Sequence, residues 1–130
     1  MAELQSEPLV LVIDDDSWIR SLVAELLASE GFTVLEASDG VRGLKLAQER
    51  SPDVILLDLA LPGRSGLEVL TVLKERQSTR KISVIVLSAY ALLLAREGAR
   101  RADGVIQKPF DLSDLLAQVR KAVDRAGVPA

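Results

Sequence analysis

The sequence predicts an α/β protein built on an open parallel sheet with helices on both faces. Three observations carry this. Short runs that are apolar at every position, residues 9–13, 54–57 and 84–87, read as strands buried on both faces. The segments between such runs place apolar residues at helical spacing. The two kinds of segment alternate along the chain, the pattern of repeated strand–helix units. The most informative stretch is Val54-Ile-Leu-Leu-Asp58-Leu-Ala-Leu-Pro62-Gly-Arg-Ser-Gly66, an apolar run ending in one carboxylate and then in residues that break regular structure. A charge on a buried strand is tolerated where the strand opens to solvent, at its carboxyl end, and ligands of open α/β sheets bind along that edge. Asp58 is therefore the first candidate for chemistry. The plainer alternative is that it caps the turn before the next helix.

The elements follow in order. Residues 9–13 form a strand that runs into Asp14-Asp15-Asp16. Ser17 is placed as the N-cap of the first helix, with Asp16 also suited to that role. Ile19, Leu22, Val23, Leu26 and Leu27 form the apolar face of this helix, and Gly31 sits where a C-terminal cap belongs. Residues 33–37 are a second, short strand. A helix from about Gly40 turns Val41, Leu44 and Ala47 to one side and stops at Ser51-Pro52-Asp53, because proline disfavours helix in the residue before it. The central strand, residues 54–57, leads to a helix over residues 66–76 that buries Leu67, Leu70 and Leu73. A strand over residues 82–87 ends at Ser88, and residues 90–101 are predicted helical. Gly98 weakens that helix by roughly 1 kcal/mol relative to Ala. Residues 104–106 form a strand leading to Lys108-Pro109, and Asp111 caps a last helix with Leu112, Leu115, Leu116, Val119 and Val123 on one face.

Five strands alternating with five helices, joined by right-handed crossovers, leave few arrangements. At this size the flavodoxin-like, doubly wound (βα)5 order 2-1-3-4-5 is expected, with its crevice between the first and third strands. Residues 1–130 read as one domain with its core over about residues 8–125. The acids at the ends of those two strands, Asp14, Asp15 and Asp58, then meet at the ligand-binding edge.

Composition narrows the chemistry. Hydrophobic content is 48%, enough to bury a core in a chain of 130 residues. The formal charge of −3 gives no reason to expect direct nucleic-acid binding. Neither cysteine nor histidine is present, which excludes thiolate and imidazole metal ligands, a thiol nucleophile and a Ser-His-Asp triad. No apolar run approaches the ~20 residues that span a membrane, and the acidic, polar start does not fit a signal peptide, so a cytoplasmic protein is expected.

Three carboxylates at one edge repel one another. At ~4 Å and an effective dielectric of 20, each pair costs about 4 kcal/mol. A hard cation relieves such a cluster, and an all-oxygen donor set suits Mg²⁺, with Mn²⁺ as a second possibility. Helix capping accounts for one of the residues Asp14 to Asp16 but not for an acid arriving from another strand. Ser88 and Lys108, each unremarkable alone, add a hydroxyl and an ammonium at the same edge. Metal, carboxylate, hydroxyl and lysine are the parts that handle a phosphoryl group.

At this point four motifs, in order and at strand ends, carry a resemblance: Val12-Ile13-Asp14-Asp15-Asp16; Asp58-Leu-Ala-Leu-Pro62-Gly63 with Gly66; Leu87-Ser88-Ala89; and Lys108-Pro109-Phe110. The sequence resembles a response-regulator receiver domain, the phosphoacceptor half of two-component signalling. The resemblance implies that Asp58 takes a phosphoryl group from the phosphohistidine of a sensor histidine kinase or phosphotransfer protein. It implies that Asp15 and Asp58 bind Mg²⁺ with the backbone carbonyl of Ala60, and that Asp14 acts through water. Lys108 would pair with Asp58 or its phosphoryl group. Ser88 and the backbone N–H of Ala89 would bind the phosphoryl oxygens. Lys108–Pro109 would be a cis bond. Such a chain is not an enzyme beyond its own phosphorylation and dephosphorylation, and it signals to an effector or a second copy through the segment 90–125.

The sequence departs from that family at Val105, where an aromatic usually stands, and in the interval from Ser88 to Lys108, shorter than usual by about two residues. Both departures touch the output face and leave the acids, Ser88 and Lys108 intact. They keep a second reading in view, a receiver-like interaction scaffold with little phosphorylation-dependent switching. A phosphatase of the haloacid dehalogenase type requires an acid two residues after the nucleophile, where this chain has Ala60. A P-loop enzyme is excluded because no Gly-x-x-x-x-Gly-Lys-Ser/Thr run exists.

Overall fold

The elements run β1 (Leu9–Ile13), α1 (Ser17–Ser29), β2 (Thr33–Ala37), α2 (Gly40–Arg50), β3 (Val54–Asp58), α3 (Gly66–Glu75), β4 (Ser83–Ser88), β5 (Gly104–Gln107) and α4 (Leu112–Arg125) in the computed structural model, which describes residues 7–62, 65–89 and 101–125. The strands form one sheet of order β2-β1-β3-β4-β5, and every neighbouring pair is parallel. This is the flavodoxin-like order that the alternation of elements predicts. Four helices lie among the described residues; the helix expected over residues 90–101 falls almost wholly outside them.

The apolar strands follow from this layering. Successive side chains on a strand point to opposite faces. On β1 and β3, Leu11, Ile13, Ile55 and Leu57 enter one core with Leu44, Ala47, Leu70 and Leu73 of α2 and α3. Val10, Val12, Val54 and Leu56 enter the other with Val23, Leu27, Leu115 and Val119 of α1 and α4. Helices cover both faces, so the interior strands are buried except at the first residue of β1 and of β4, and all five residues of β3, including Asp58, are buried. No helix among the described residues is long and apolar enough to cross a membrane.

Several local expectations are corrected. Asp16, not Ser17, is the N-cap of α1: its carboxylate accepts the N–H groups of Trp18 and Ile19, at 3.0 and 3.2 Å. The buried face of α2 is Gly40, Gly43, Leu44 and Ala47, and Val41 is exposed. A Cβ on Gly43 would lie 2.5 Å from Cδ1 of Ile13, so α2 approaches β1 along its glycine side and rotates Val41 toward solvent. On α3 the buried side chains are Val69, Leu70 and Leu73, while Leu67 is only partly covered. Ala122 joins the buried face of α4, and Leu112 and Leu116 stay partly exposed. β3, β4 and β5 each extend one residue further than expected, to Asp58, Ser88 and Gln107, and β4 begins at Ser83 instead of Ile82. Gly31 takes a φ of +95° just past α1, the left-handed conformation expected of a C-terminal glycine.

α3 is set against the end of β3 by two devices. Ser65 caps it in a reciprocal pairing with Glu68, the capping box. Gly66 gives its N–H to the carbonyl of Leu59 at 3.2 Å and lies so close to that turn that an added Cβ would sit 2.6 Å from the Asp58 carbonyl oxygen and press on Cα of Leu59. The obstacle is backbone, which cannot rotate away. Gly66→Ala is therefore expected to destabilise the fold by roughly 1–3 kcal/mol, the usual range for overpacking. Urea unfolding measures this, and a loss below about 0.5 kcal/mol, the range of ordinary surface changes, would show that the turn yields.

Candidate functional site

β1 and β3 are hydrogen-bonded neighbours, with Ile13 opposite Leu57, so the residues that follow emerge side by side at the carboxyl edge. Asp14 is fully buried and Asp58 is 4% exposed, whereas Asp15 is exposed. Carboxylate oxygens of Asp14, Asp15 and Asp58 all lie within 4.8 Å of one another. The fold thus brings together the three acids that the sequence placed on two strands.

Each acid is held differently. Asp14 gives its N–H to the carbonyl of Ala37 at 3.1 Å, and its Oδ1 accepts the N–H of Asp16 at 2.9 Å. Asp58 Oδ1 accepts the N–H of Ala60 at 3.0 Å. Among the described residues the carboxylate of Asp15 has no protein partner, which leaves its oxygens open to a cation or to water. Lys108, just past β5, reaches across the edge. Its Nζ is 3.3 Å from Asp14 Oδ2 and 3.4 Å from Asp58 Oδ2. The pairing with Asp58 matches expectation; the pairing with Asp14 adds a second anion that the sequence reading did not assign to this lysine.

The electrostatics follow from burial. Loss of solvent raises the pKa of the Asp58 carboxyl; the Ala60 N–H opposes this, the Asp14 charge adds to it, and Lys108 works against it, leaving the value at about 6. Burial pulls the Lys108 ammonium down, but Asp58 and then Asp14 more than offset this and hold it above its usual range. One cation therefore serves two buried anions, and the edge keeps a surplus of negative charge.

The remaining candidates lie on the same edge. Ser88 ends β4, is buried, and stands opposite Gln107 of β5; its backbone carbonyl accepts the N–H of Lys108 at 2.9 Å. Ala89 and Ala60 follow the ends of β4 and β3 and are exposed. The Lys108–Pro109 bond is cis. Gly63 lies outside the described residues. The sequence reading did not single out Arg20, whose Nη1 donates to the backbone carbonyl of Asp14 at 2.7 Å and whose Nε donates to Glu36 at 3.2 Å. An arginine in the first turn of a helix carries no sign of this bond; only the packing of α1 against the end of β1 shows it.

Comparison with known proteins agrees with this geometry. The family model of the response regulator receiver domain matches residues 10–120. The DNA-binding dual master transcriptional regulator RpaA of Synechocystis is 38% identical over 120 residues, spanning 91% of this chain and 50% of that protein. The transcriptional regulatory protein PdtaR of Mycobacterium tuberculosis is 34% identical over 119 residues, spanning 89% of this chain and 57% of that one. The chain thus spans little more than half the length of these relatives. Among solved structures, a CheY-like receiver domain protein of Methanospirillum hungatei superposes with a TM-score of 0.87 at 27% identity, covering 94% of this chain and 98% of that one. The response regulator TrrA of Thermotoga maritima, in complex with Mg²⁺ and BeF, gives 0.81 at 31% identity over 88% of this chain and 98% of that one. With the family model matching residues 10–120 and relatives such as these, the chain belongs to the response regulator receiver domains.

Proposed function

We propose that this chain is a single receiver domain that accepts a phosphoryl group on Asp58 from the phosphohistidine of a sensor kinase or phosphotransfer protein. The observation that carries this reading is the buried Asp58 carboxylate at the sheet edge, flanked by Asp14 and Asp15 just past β1 and by Lys108 just past β5. The donor set is all oxygen and anionic, which fits Mg²⁺. Asp15 and Asp58 would hold the ion with the Ala60 backbone carbonyl, and Asp14 would act through water. Bound there, Mg²⁺ supplies positive charge against the phosphoryl oxygens. The complex of TrrA with Mg²⁺ and BeF supports the fit, because that relative is 31% identical over most of this chain.

The chain's own residues do the rest. A carboxylate oxygen of Asp58 attacks phosphorus; a P–O bond forms as the P–N bond to the donor imidazole breaks, and the leaving nitrogen takes a proton. Asp58 must be ionised to attack; without metal its carboxyl is raised to about 6 and is mostly ionised at neutral pH, and a cation bound at the cluster would favour the carboxylate further. Lys108 balances the charge that Asp58 gains as a phosphoryl group arrives. Ser88 Oγ and the N–H of Ala89 donate to the phosphoryl oxygens. Ala60 supplies no carboxylate to activate water, so the acyl phosphate is not turned over as in a phosphatase.

Output to an effector or a second copy is assigned to the segment 90–125. Val105 packs against the core shared with α2 and α3, and it has no ring to swing when the site is filled.

Incubation with acetyl phosphate and Mg²⁺, read by intact mass, tests the reading. One phosphoryl adduct is expected on the wild type and none on Asp58→Asn. An adduct that survives the substitution, or a wild type that never gains one, sinks it.

The electrostatics make a second prediction. The folded-state pKa of Asp58 stands above its ordinary 3.8, at about 6. The native state therefore holds the proton more tightly than the unfolded state, and the stability this gives is lost as pH rises through that window. Metal-free wild type is expected to lose on the order of 1–3 kcal/mol of stability from about pH 4 to pH 7 relative to Asp58→Asn. Denaturant unfolding of both proteins across that range checks it. Parallel stability curves would show that Asp58 ionises without penalty.

A further inference from the structure

Arg20 stands beside a cation site that its own charge opposes. Its side chain is 18% exposed, and it touches none of the cluster's carboxylates; one arm of the guanidinium donates to the Asp14 backbone carbonyl at 2.7 Å and another to Glu36 Oε1 at 3.2 Å. Glu36 is fixed in turn by β2, where it pairs in register with Val12. The planar fork of an arginine suits this double grip, since its donors point along separate edges.

The gripped carbonyl belongs to the Asp14–Asp15 peptide. On its other side Asp14 is tied by its N–H to the Ala37 carbonyl, at 3.1 Å. Between them these bonds fix the plane of the peptide and the direction in which Asp15 leaves β1. Asp16, the next residue, is committed to capping α1. Asp15 is exposed and its carboxylate has no protein partner among the described residues, so no side-chain contact steers it, and the backbone sets which positions its oxygens can reach relative to Asp14 and Asp58.

We propose that Arg20, anchored by Glu36, is a positioning residue for the cation site: by holding the Asp14 carbonyl it aims the Asp15 carboxylate. This rests on the reading of Asp14, Asp15 and Asp58 as a Mg²⁺ site and adds two residues that touch neither metal nor phosphoryl group. Positioning and field effects have opposite signs here. As a nearby positive charge Arg20 repels Mg²⁺, so removing it would tighten binding if charge were its only influence. As a positioning residue its removal loosens binding.

Calorimetric titration of metal-free protein with Mg²⁺ separates the two. Arg20→Ala is expected to weaken binding about tenfold, the lower end for loss of an outer-shell partner of a metal ligand. Arg20→Lys keeps the charge but cannot grip carbonyl and carboxylate together, and is expected to weaken it too, by a smaller factor than the alanine variant. Circular dichroism establishes that each variant is folded, and if the alanine variant is not, the lysine variant carries the test. A folded variant that binds Mg²⁺ as tightly as wild type, or more tightly, overturns the inference, including one that has lost only thermal stability. A wild type that takes no Mg²⁺ overturns the site reading itself, and this inference with it.

Discussion

Two buried carboxylates share one ammonium at the carboxyl edge of the sheet. Asp14 follows β1, Asp58 ends the adjacent β3, and both stand within 3.4 Å of Lys108 Nζ, with Asp15 adding a third negative charge from the solvent side. Burial makes each charge expensive, and proximity makes the second dearer than the first. Such a cluster survives only if the rest of the fold is stable enough to hold it and the backbone rigid enough to keep it from relaxing. Much of the surrounding architecture answers to that demand.

The sheet supplies the rigidity. β1 and β3 are interior strands covered on both faces, and they meet the site as a pair in fixed register. Their side chains divide between two cores, so a shift of either strand by one residue would exchange the faces of every apolar side chain on it. The turns are fixed as tightly. Gly66 brings α3 against the turn after Asp58, and Gly43 brings α2 against Ile13, the residue before Asp14. Asp16 caps α1, and Arg20 from the same helix returns to the Asp14 carbonyl. Of the three clustered acids only Asp15, at the open side, is left to the solvent, which is where an incoming ion and phosphoryl group would meet the cluster.

Much of this was legible in the sequence. Apolar runs ending in Asp14, Asp58 and Ser88 marked the strands and their carboxyl ends. The alternation of elements led to the strand order, and the order placed the acids together. The errors have local physical causes. A helical face is a stripe about 100° wide, so periodicity cannot say which flank turns inward. Glycine contacts decided this for α2, leaving Val41 exposed, while on α3 Val69 is buried in place of Leu67. The cap of α1 was off by one residue because Asp16 and Ser17 are both good capping types. Strand ends were undercounted where a polar residue, Asp58, Ser88 or Gln107, completes the ladder. The bond from Arg20 to Asp14, and the second anion held by Lys108, depend on where α1 and β5 pack, and no spacing in the chain encodes that.

The central claim is that the acids at this edge are held at a cost to the fold and that a hard cation relieves it. Calorimetric melting of wild type and Asp58→Asn, with and without millimolar Mg²⁺ at neutral pH, tests it most directly. A ligand that binds only the native state raises the melting temperature by mass action. The account predicts that Mg²⁺ raises that of wild type clearly and that of Asp58→Asn much less, and that without metal the variant melts higher. Equal melting temperatures without metal, together with equal responses to it, would contradict the claim.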